Sequence, residues 1–220
     1  MSMLRAVFRA SHFGPTLLVT SISLLLALYF GYGWKSGIVA ISIFGGQLIV
    51  GWTNDIFDFK DDLKHNRLKK PLVSGEISSK NLRYFVLVTS PIVILISIYG
   101  PLGYIGGSIA ILGVLVALSY NFYFKSTLFS PLPYVFCFGA LPIAIAKGID
   151  KHIDLNGIFA GVFLGFSAHF INVLKDLKED LKSGIRGFPQ KIGARYSKIL
   201  ATISFSIGLI FVLLFFRSSS

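Results

Sequence analysis

Apolar residues fill seven long runs of this chain, and polar residues collect in the gaps between them. The runs are continuous rather than alternating, and each approaches the ~20 residues an α-helix needs to cross a bilayer. They predict transmembrane helices near 13–33, 37–58, 82–100, 102–122, 131–148, 156–176 and 197–216. Between Pro91 and Tyr120, the punctuation by Gly100, Pro101 and Gly103 predicts two helices joined by a tight turn. Pro131, Pro133 and Pro142 fall in the fifth run or at its start, where neighbouring helices can satisfy the carbonyls that proline frees. Gly161 and Gly165 put a G-x-x-x-G face on the sixth run, which lets its backbone approach a neighbour closely. The longest polar gaps, near 59–81 and 177–196, read as loops.

Composition turns this pattern into a membrane assignment. The chain is 54% hydrophobic and only 14% charged, where a soluble domain carries about 25% charged residues. No soluble fold could cover so much apolar surface. The expected fold class is all-α, a multi-pass transmembrane bundle of about seven helices, built as one domain over residues 1–220. The single Cys137 excludes an internal disulfide. Residues 1–12 are basic, but the apolar run that follows lacks a small-residue cleavage site, so it reads as a retained helix and not a signal peptide.

Charge orients the helices. The net charge of +11 would suit a nucleic-acid partner, but its distribution argues against one. With the N-terminus in the cytosol, 17 of the 21 Lys and Arg residues fall on that side, leaving Lys35, Lys147, Lys151 and Arg217 opposite. No aromatic stacking platform accompanies the basic loops, so nucleic acid is set aside as a partner. The expected location is an integral membrane, the cell membrane in a prokaryotic host, with cytosolic loops after the second, fourth and sixth helices.

Two polar stretches close apolar runs on that cytosolic side. Asn54, Asp58 and Asp62 repeat the spacing of Asn172, Asp176 and Asp180. Four residues at about 100° each advance only about 40° around a helix, so each trio shares one face. Asp55 and Asp61 lie at the edges of the first sector, and Glu179 lies beside the second. Carboxylates crowded at membrane helix ends are costly unless a cation sits among them. Mg2+ takes oxygen ligands and uses one or two carboxylates together with substrate phosphate oxygens. The expected chemistry is therefore a Mg2+ site, Asp58 and Asp62 facing Asp176 and Asp180, that holds a diphosphate. Asn54 and Asn172, one turn deeper, would ligate oxygen without adding charge. Arg67, Lys69, Lys70, Lys125 and Lys175 would bind the remaining phosphate oxygens. An apolar tail on the same substrate would run among the helices.

These residues resemble the UbiA superfamily of intramembrane prenyltransferases, of the 4-hydroxybenzoate polyprenyltransferase kind. The likeness rests on the two acidic motifs, on residues 70–77 (Lys-Pro-Leu-Val-Ser-Gly-Glu-Ile), on the segment from Tyr120 to Lys125, and on residues 176–180 with Gly184, Pro189 and Gly193. Arg9 and His12 match the basic approach to the family's first helix. The resemblance implies a Mg2+-dependent enzyme that ionises a prenyl diphosphate and transfers the allylic group to an acceptor. The acceptor is a small molecule or lipid, often an aromatic ring such as a quinone precursor. Carried over by position, Asp58, Asp62, Asp176 and Asp180 would be catalytic and metal-binding, and Asp55 would bind metal through water or orient a neighbour. Asn54, Asn172, Arg67, Lys70, Lys125 and Lys175 would serve the diphosphate, and the Tyr120 ring would stabilise the allylic cation. The family usually has nine helices, so a homo-oligomer, a longer chain or an altered activity would each account for the seven here.

Two rivals stand beside this reading. A cation-coupled transporter would place its acids nearer mid-membrane, on broken helices. A catalytically inactive scaffold of the same family would keep the fold alone. His12, His65, His152 and His169 show no metal-ligand spacing, and His169 reads as a packed polar group.

Overall fold

The computed structural model describes residues 3–152 and 154–218. Among the described residues every regular element is helical: α1 (Met3–Ala10), α2 (Phe13–Phe30), α3 (Ser36–Lys64), α4 (Ser79–Tyr99), α5 (Gly103–Phe122), α6 (Leu132–Lys147), α7 (Leu155–Lys182) and α8 (Phe188–Ser218). Six helices among the described residues are long and apolar enough to cross a membrane: α2, α3 with its preceding 3-10 turn, α4, α5, α7 and α8. The sixteen residues of α6 rise about 24 Å, short of the ~30 Å hydrocarbon layer. Each of the seven predicted helices is present, and the tight turn after Tyr99 falls where Gly100, Pro101 and Gly103 placed it, with Gly103 at φ 63°.

The helix ends differ from expectation in a systematic way. α3 continues to Lys64 and α7 to Lys182, so both acidic motifs are helical throughout and the intervening loops shrink to 65–78 and 183–187. Leu, Lys and Glu are good helix formers, and Asp tolerates a helix interior when its side chain has a partner. Hydropathy therefore marks where a helix leaves the apolar layer, not where its hydrogen bonds stop. The eight-residue α1 was not predicted, because it is too short to register as a span.

The chain divides into two compact units, Met1–Val114 with Ala144–Asp150, and Leu115–Ile143 with Lys151–Ser220. In the first, a buried cluster of Ala6, Val7, Ala10, Trp52, Leu72, Ile77 and Leu82 joins α1, α3, α4 and the loop after α3. Trp52 Nε1 donates to the Val7 carbonyl at 2.9 Å. A Cβ at Gly51 would collide with the Ser11 carbonyl, so only glycine lets α3 approach the α1–α2 corner this closely. The Tyr32 hydroxyl donates to the Ile145 carbonyl at 2.6 Å.

In the second unit the G-x-x-x-G face is used. A Cβ at Gly161 would collide with the Phe138 carbonyl, and one at Gly165 would lie 2.6 Å from the Tyr134 carbonyl oxygen, so both glycines bring α7 against α6. The Asp154 carboxylate caps α7 by accepting from the Asn156 and Gly157 amides at 2.5 and 3.2 Å. Burial pushes its carboxyl up, but hydrogen bonds from the Ser218 hydroxyl, the Asn156 side chain and these two amides together hold it below the usual range. α7 and α8 pack along their length, with the Ser167 hydroxyl on the Ala201 carbonyl at 2.9 Å and Phe163 stacked on Phe211.

Candidate functional site

The first acidic motif folds around a lysine. Asp55 and Asp62 are seven residues apart, which leaves them only about 20° apart on a helix. Both are buried on α3, at 3% and 1% exposure. The loop after α3 turns back so that Lys70 Nζ lies 2.7 Å from Asp62 Oδ2, 3.1 Å from Asp55 Oδ1 and 3.8 Å from Asp58 Oδ2. Arg67 takes the other Asp62 oxygen at 3.0 Å. Asn54 Nδ2 donates to Asp58 Oδ2 at 3.3 Å and lies 3.1 Å from His12 Nε2. That same histidine nitrogen is 3.2 Å from Asp55 Oδ1.

Several contacts hold the Lys70 backbone in place. Leu72 and Ile77 are buried in the cluster beneath the loop. The Val73 and Ser74 amides both donate to the Lys70 carbonyl at 3.0 Å. From α1, Arg9 donates to the Lys69 carbonyl at 2.6 Å and to both Glu76 carboxylate oxygens at 2.7 and 2.8 Å. Burial by itself would push the Lys70 ammonium down. Asp55, Asp58 and Asp62 outweigh it and hold the group well above the ordinary lysine range.

The second motif, on α7, meets its surroundings differently. Asp180 is buried at 6% exposure and accepts from Gln190 Nε2 at 2.9 Å, a neutral donor from the first turn of α8. Asp176 and Lys175 are exposed. Asn172 Nδ2 donates to the Tyr134 hydroxyl of α6 at 3.0 Å. Gly193 lets α8 present Gln190 in this way: it stands at φ 79°, ψ 173°, breaking the helix three residues after Gln190. A side chain at that φ is disfavoured.

Aromatic rings surround His169, one turn before Asn172. Tyr120 and Tyr134 have ring centroids 5.8 and 5.0 Å from the imidazole, and 5.6 Å from each other. His169 is fully buried, with Nε2 3.1 Å from the Ser130 hydroxyl. Ser130 Oγ also accepts from the Phe188 amide at 3.1 Å, so the hydroxyl links His169 to the start of α8. His169 is thus a packed polar group, as expected. Lys125 lies in the 3-10 turn Phe124–Ser126, whose backbone approaches Gly187.

Of the residues singled out in the sequence, Asn54, Asp55, Asp58, Asp62, Arg67 and Lys70 form one cluster. Asp55 stands at its centre instead of its edge, because Lys70 folds back onto it together with Asp62. Asp61 leaves the cluster and pairs with His65 at 3.3 Å. Asn172, Asp176, Asp180, Lys175, Tyr120 and Lys125 belong to the second unit. Sequence reasoning missed the contacts of His12, the Arg9–Glu76 pair and Gln190. His12 and Arg9 sit just before the first apolar run, a position that hinted at a role but could not supply a partner.

The donors of the first cluster suit a hard divalent cation. Asp55 Oδ1 and Asp62 Oδ2 are buried; Asp55 Oδ1 lies at ion-pair distance from Lys70 and His12, and Asp62 Oδ2 from Lys70. Among the described residues no three acidic or histidine side chains stand at mutual ligand spacing. The ammonium stands where the carboxylates converge.

Comparison with known proteins bears on the fold and the family. The chain is 26% identical over 183 residues to digeranylgeranylglyceryl phosphate synthase of Sulfolobus acidocaldarius, covering 77% of this chain and 60% of that relative. A UbiA homologue from Archaeoglobus fulgidus bound to DMAPP and Mg2+ superposes with a TM-score of 0.77 at 16% identity, over 97% of this chain and 78% of that one. A structure concerned with digeranylgeranylglyceryl phosphate synthase in membranes matches at 0.69 and 17% identity, over 100% and 79%. At these identities the structural matches establish the fold. The family model described as the UbiA prenyltransferase family matches residues 11–220. With an all-helical fold, six membrane-length apolar helices and a model match over nearly the whole chain, this protein belongs to the UbiA prenyltransferase family, as an integral multi-pass membrane protein.

Proposed function

We propose that this protein is a Mg2+-dependent intramembrane prenyltransferase. The observation that carries the reading is the convergence of Asp55, Asp58 and Asp62 on one cationic point at the polar end of α3, with Arg67 beside it. Asp55, Asp58 and Asp62 would hold Mg2+ there, and Asp176 and Asp180 supply the carboxylates of the second motif. When bound, Mg2+ supplies neutralisation of the charge on a diphosphate leaving group. Lys70 and Arg67 bind the free phosphate oxygens, with Lys125 and Lys175 as further phosphate contacts. Asn54 orients Asp58, Asn172 is oriented by Tyr134, and the Tyr120 ring face lies against the allylic group. The bond between the allylic carbon and the diphosphate oxygen breaks, a bond from that carbon to the acceptor forms, and diphosphate and a proton leave.

The asymmetry of Lys and Arg supports a cytosolic N-terminus and cytosolic acidic motifs. Names of the relatives support a hydroxyl of a glycerol phosphate lipid as the acceptor, with a quinone-precursor ring as the competing class. The experiment uses the purified full chain in nanodiscs with radiolabelled geranyl or geranylgeranyl diphosphate, Mg2+, and either geranylgeranylglyceryl phosphate or 4-hydroxybenzoate. Labelled ether lipid is the expected product. Labelled aromatic product instead reassigns the acceptor, and no transfer to either overturns the enzyme reading.

A further inference from the structure

The Lys70 ammonium occupies the point on which three carboxylates of the first motif converge. It is within ion-pair reach of all three, at 2.7, 3.1 and 3.8 Å, and two of these carboxylates are almost entirely buried. Buried carboxylates without a counter-charge are strongly unfavourable, so the metal-free protein needs this cation. Mg2+ binds oxygens at about 2.0–2.1 Å, and two cations cannot share one set of oxygens without strong repulsion. Metal and ammonium therefore compete for the same point.

The surroundings favour movement of the side chain and not of the loop. Leu72, Ile77 and the Arg9 bond to the Lys69 carbonyl anchor the backbone on both sides. The Lys70 side chain is 21% exposed, which leaves its flexible four-carbon stem an outward path. Arg67 engages Asp62 through the oxygen that Lys70 does not use, so it can remain while Lys70 leaves.

We propose that Lys70 is a resident counter-cation that a divalent metal displaces, so that loading the site transfers one positive charge from the carboxylates toward the diphosphate. The proposal deepens the transferase reading and rests on it for the identity of the metal and the phosphate ligand. It assigns Lys70 two successive partners. The residue stabilises the metal-free site and then becomes available to the substrate only after metal has entered.

The decisive measurement is Mn2+ affinity, read by electron paramagnetic resonance without any diphosphate present. Lys70→Met is expected to bind Mn2+ about tenfold more tightly than the wild-type protein, because the competing charge is gone. Equal or weaker binding by Lys70→Met would overturn the proposal. Should that variant not fold without metal, the wild-type protein carries the test through amine acetylation read by mass spectrometry at Lys70. Labelling of Lys70 is expected to rise several-fold when Mg2+ alone replaces EDTA, with exposed Lys60 as the internal control. Unchanged labelling would overturn the exchange. Adding geranyl S-thiolodiphosphate with Mg2+ should protect Lys70 again. Exchange under Mg2+ alone with no binding of that analogue would leave the cation exchange standing and sink the prenyl diphosphate reading.

Discussion

Asp62 on α3 and Asp180 on α7 hold the same place in the same motif, yet they are compensated in opposite ways. Asp62 is gripped by two cations, Arg67 on one oxygen and Lys70 on the other. Asp180 receives the neutral amide of Gln190. The pattern extends one and two turns deeper. Asp58 accepts from Asn54 and faces Lys70, whereas Asp176 is exposed and Asn172 is spent on Tyr134. The same spacing on two helices thus gathers Lys70 and Arg67 onto the face in one unit and brings Gln190 onto Asp180 in the other. The difference teaches that the motif only places carboxylates on one side of a helix. Which group answers the carboxylates is set by the segment that folds back onto them, a lysine-bearing loop after α3 and a glutamine at the start of α8.

This contrast can be tested from its strongest consequence downward. Asp58→Ala and Asp176→Ala are each expected to lower prenyl-transfer turnover by about 10³-fold, the scale of losing a positioned charge-stabilising group. Radiolabelled product formation reads it, and near-wild-type turnover for Asp176→Ala alone would mean that the α7 face is only a polar helix end. Next in size is stability in metal-free detergent. Lys70→Met removes the ammonium that Asp55 and Asp62 share and should cost roughly 3 kcal/mol, read by chemical denaturation. Gln190→Leu removes a neutral donor from Asp180 and should cost about 1.5 kcal/mol in the same assay. Equal losses would erase the distinction between a cation-dependent and an amide-supported face. The smallest effect is expected for Arg9→Ala. This pair is solvent-exposed, so the melting temperature should barely move, while KM for the prenyl diphosphate rises about threefold as the Lys70 loop loosens. An unchanged KM would detach α1 from the site.

Much of the fold was legible because bilayer physics writes it into composition. Continuous apolar runs located all seven expected helices, and Gly161 and Gly165 marked the face by which α7 meets α6. Helix ends were not legible, since Lys60 to Lys64 and Lys175 to Lys182 are polar without being helix-breaking. Within the site, the alignment of Asp55 with Asp62 follows from spacing alone, but its centrality emerged only with Lys70 in place. Lys70 itself was singled out as a candidate phosphate contact from its Lys-Pro context. Its return onto the carboxylates depends on Leu72 and Ile77 being buried and on Arg9, contacts between residues far apart in the chain.

By itself, the amino-acid order determined what lies near in sequence: membrane helices, two carboxylate-bearing faces, and the family to which such motifs belong. Periodicity and hydropathy are local properties, and a helix translates residue spacing directly into direction. Tertiary structure alone decided which cation or amide answers each carboxylate. That choice depends on loops whose path is set by distant packing, and the same motif received Lys70 on one helix and Gln190 on the other.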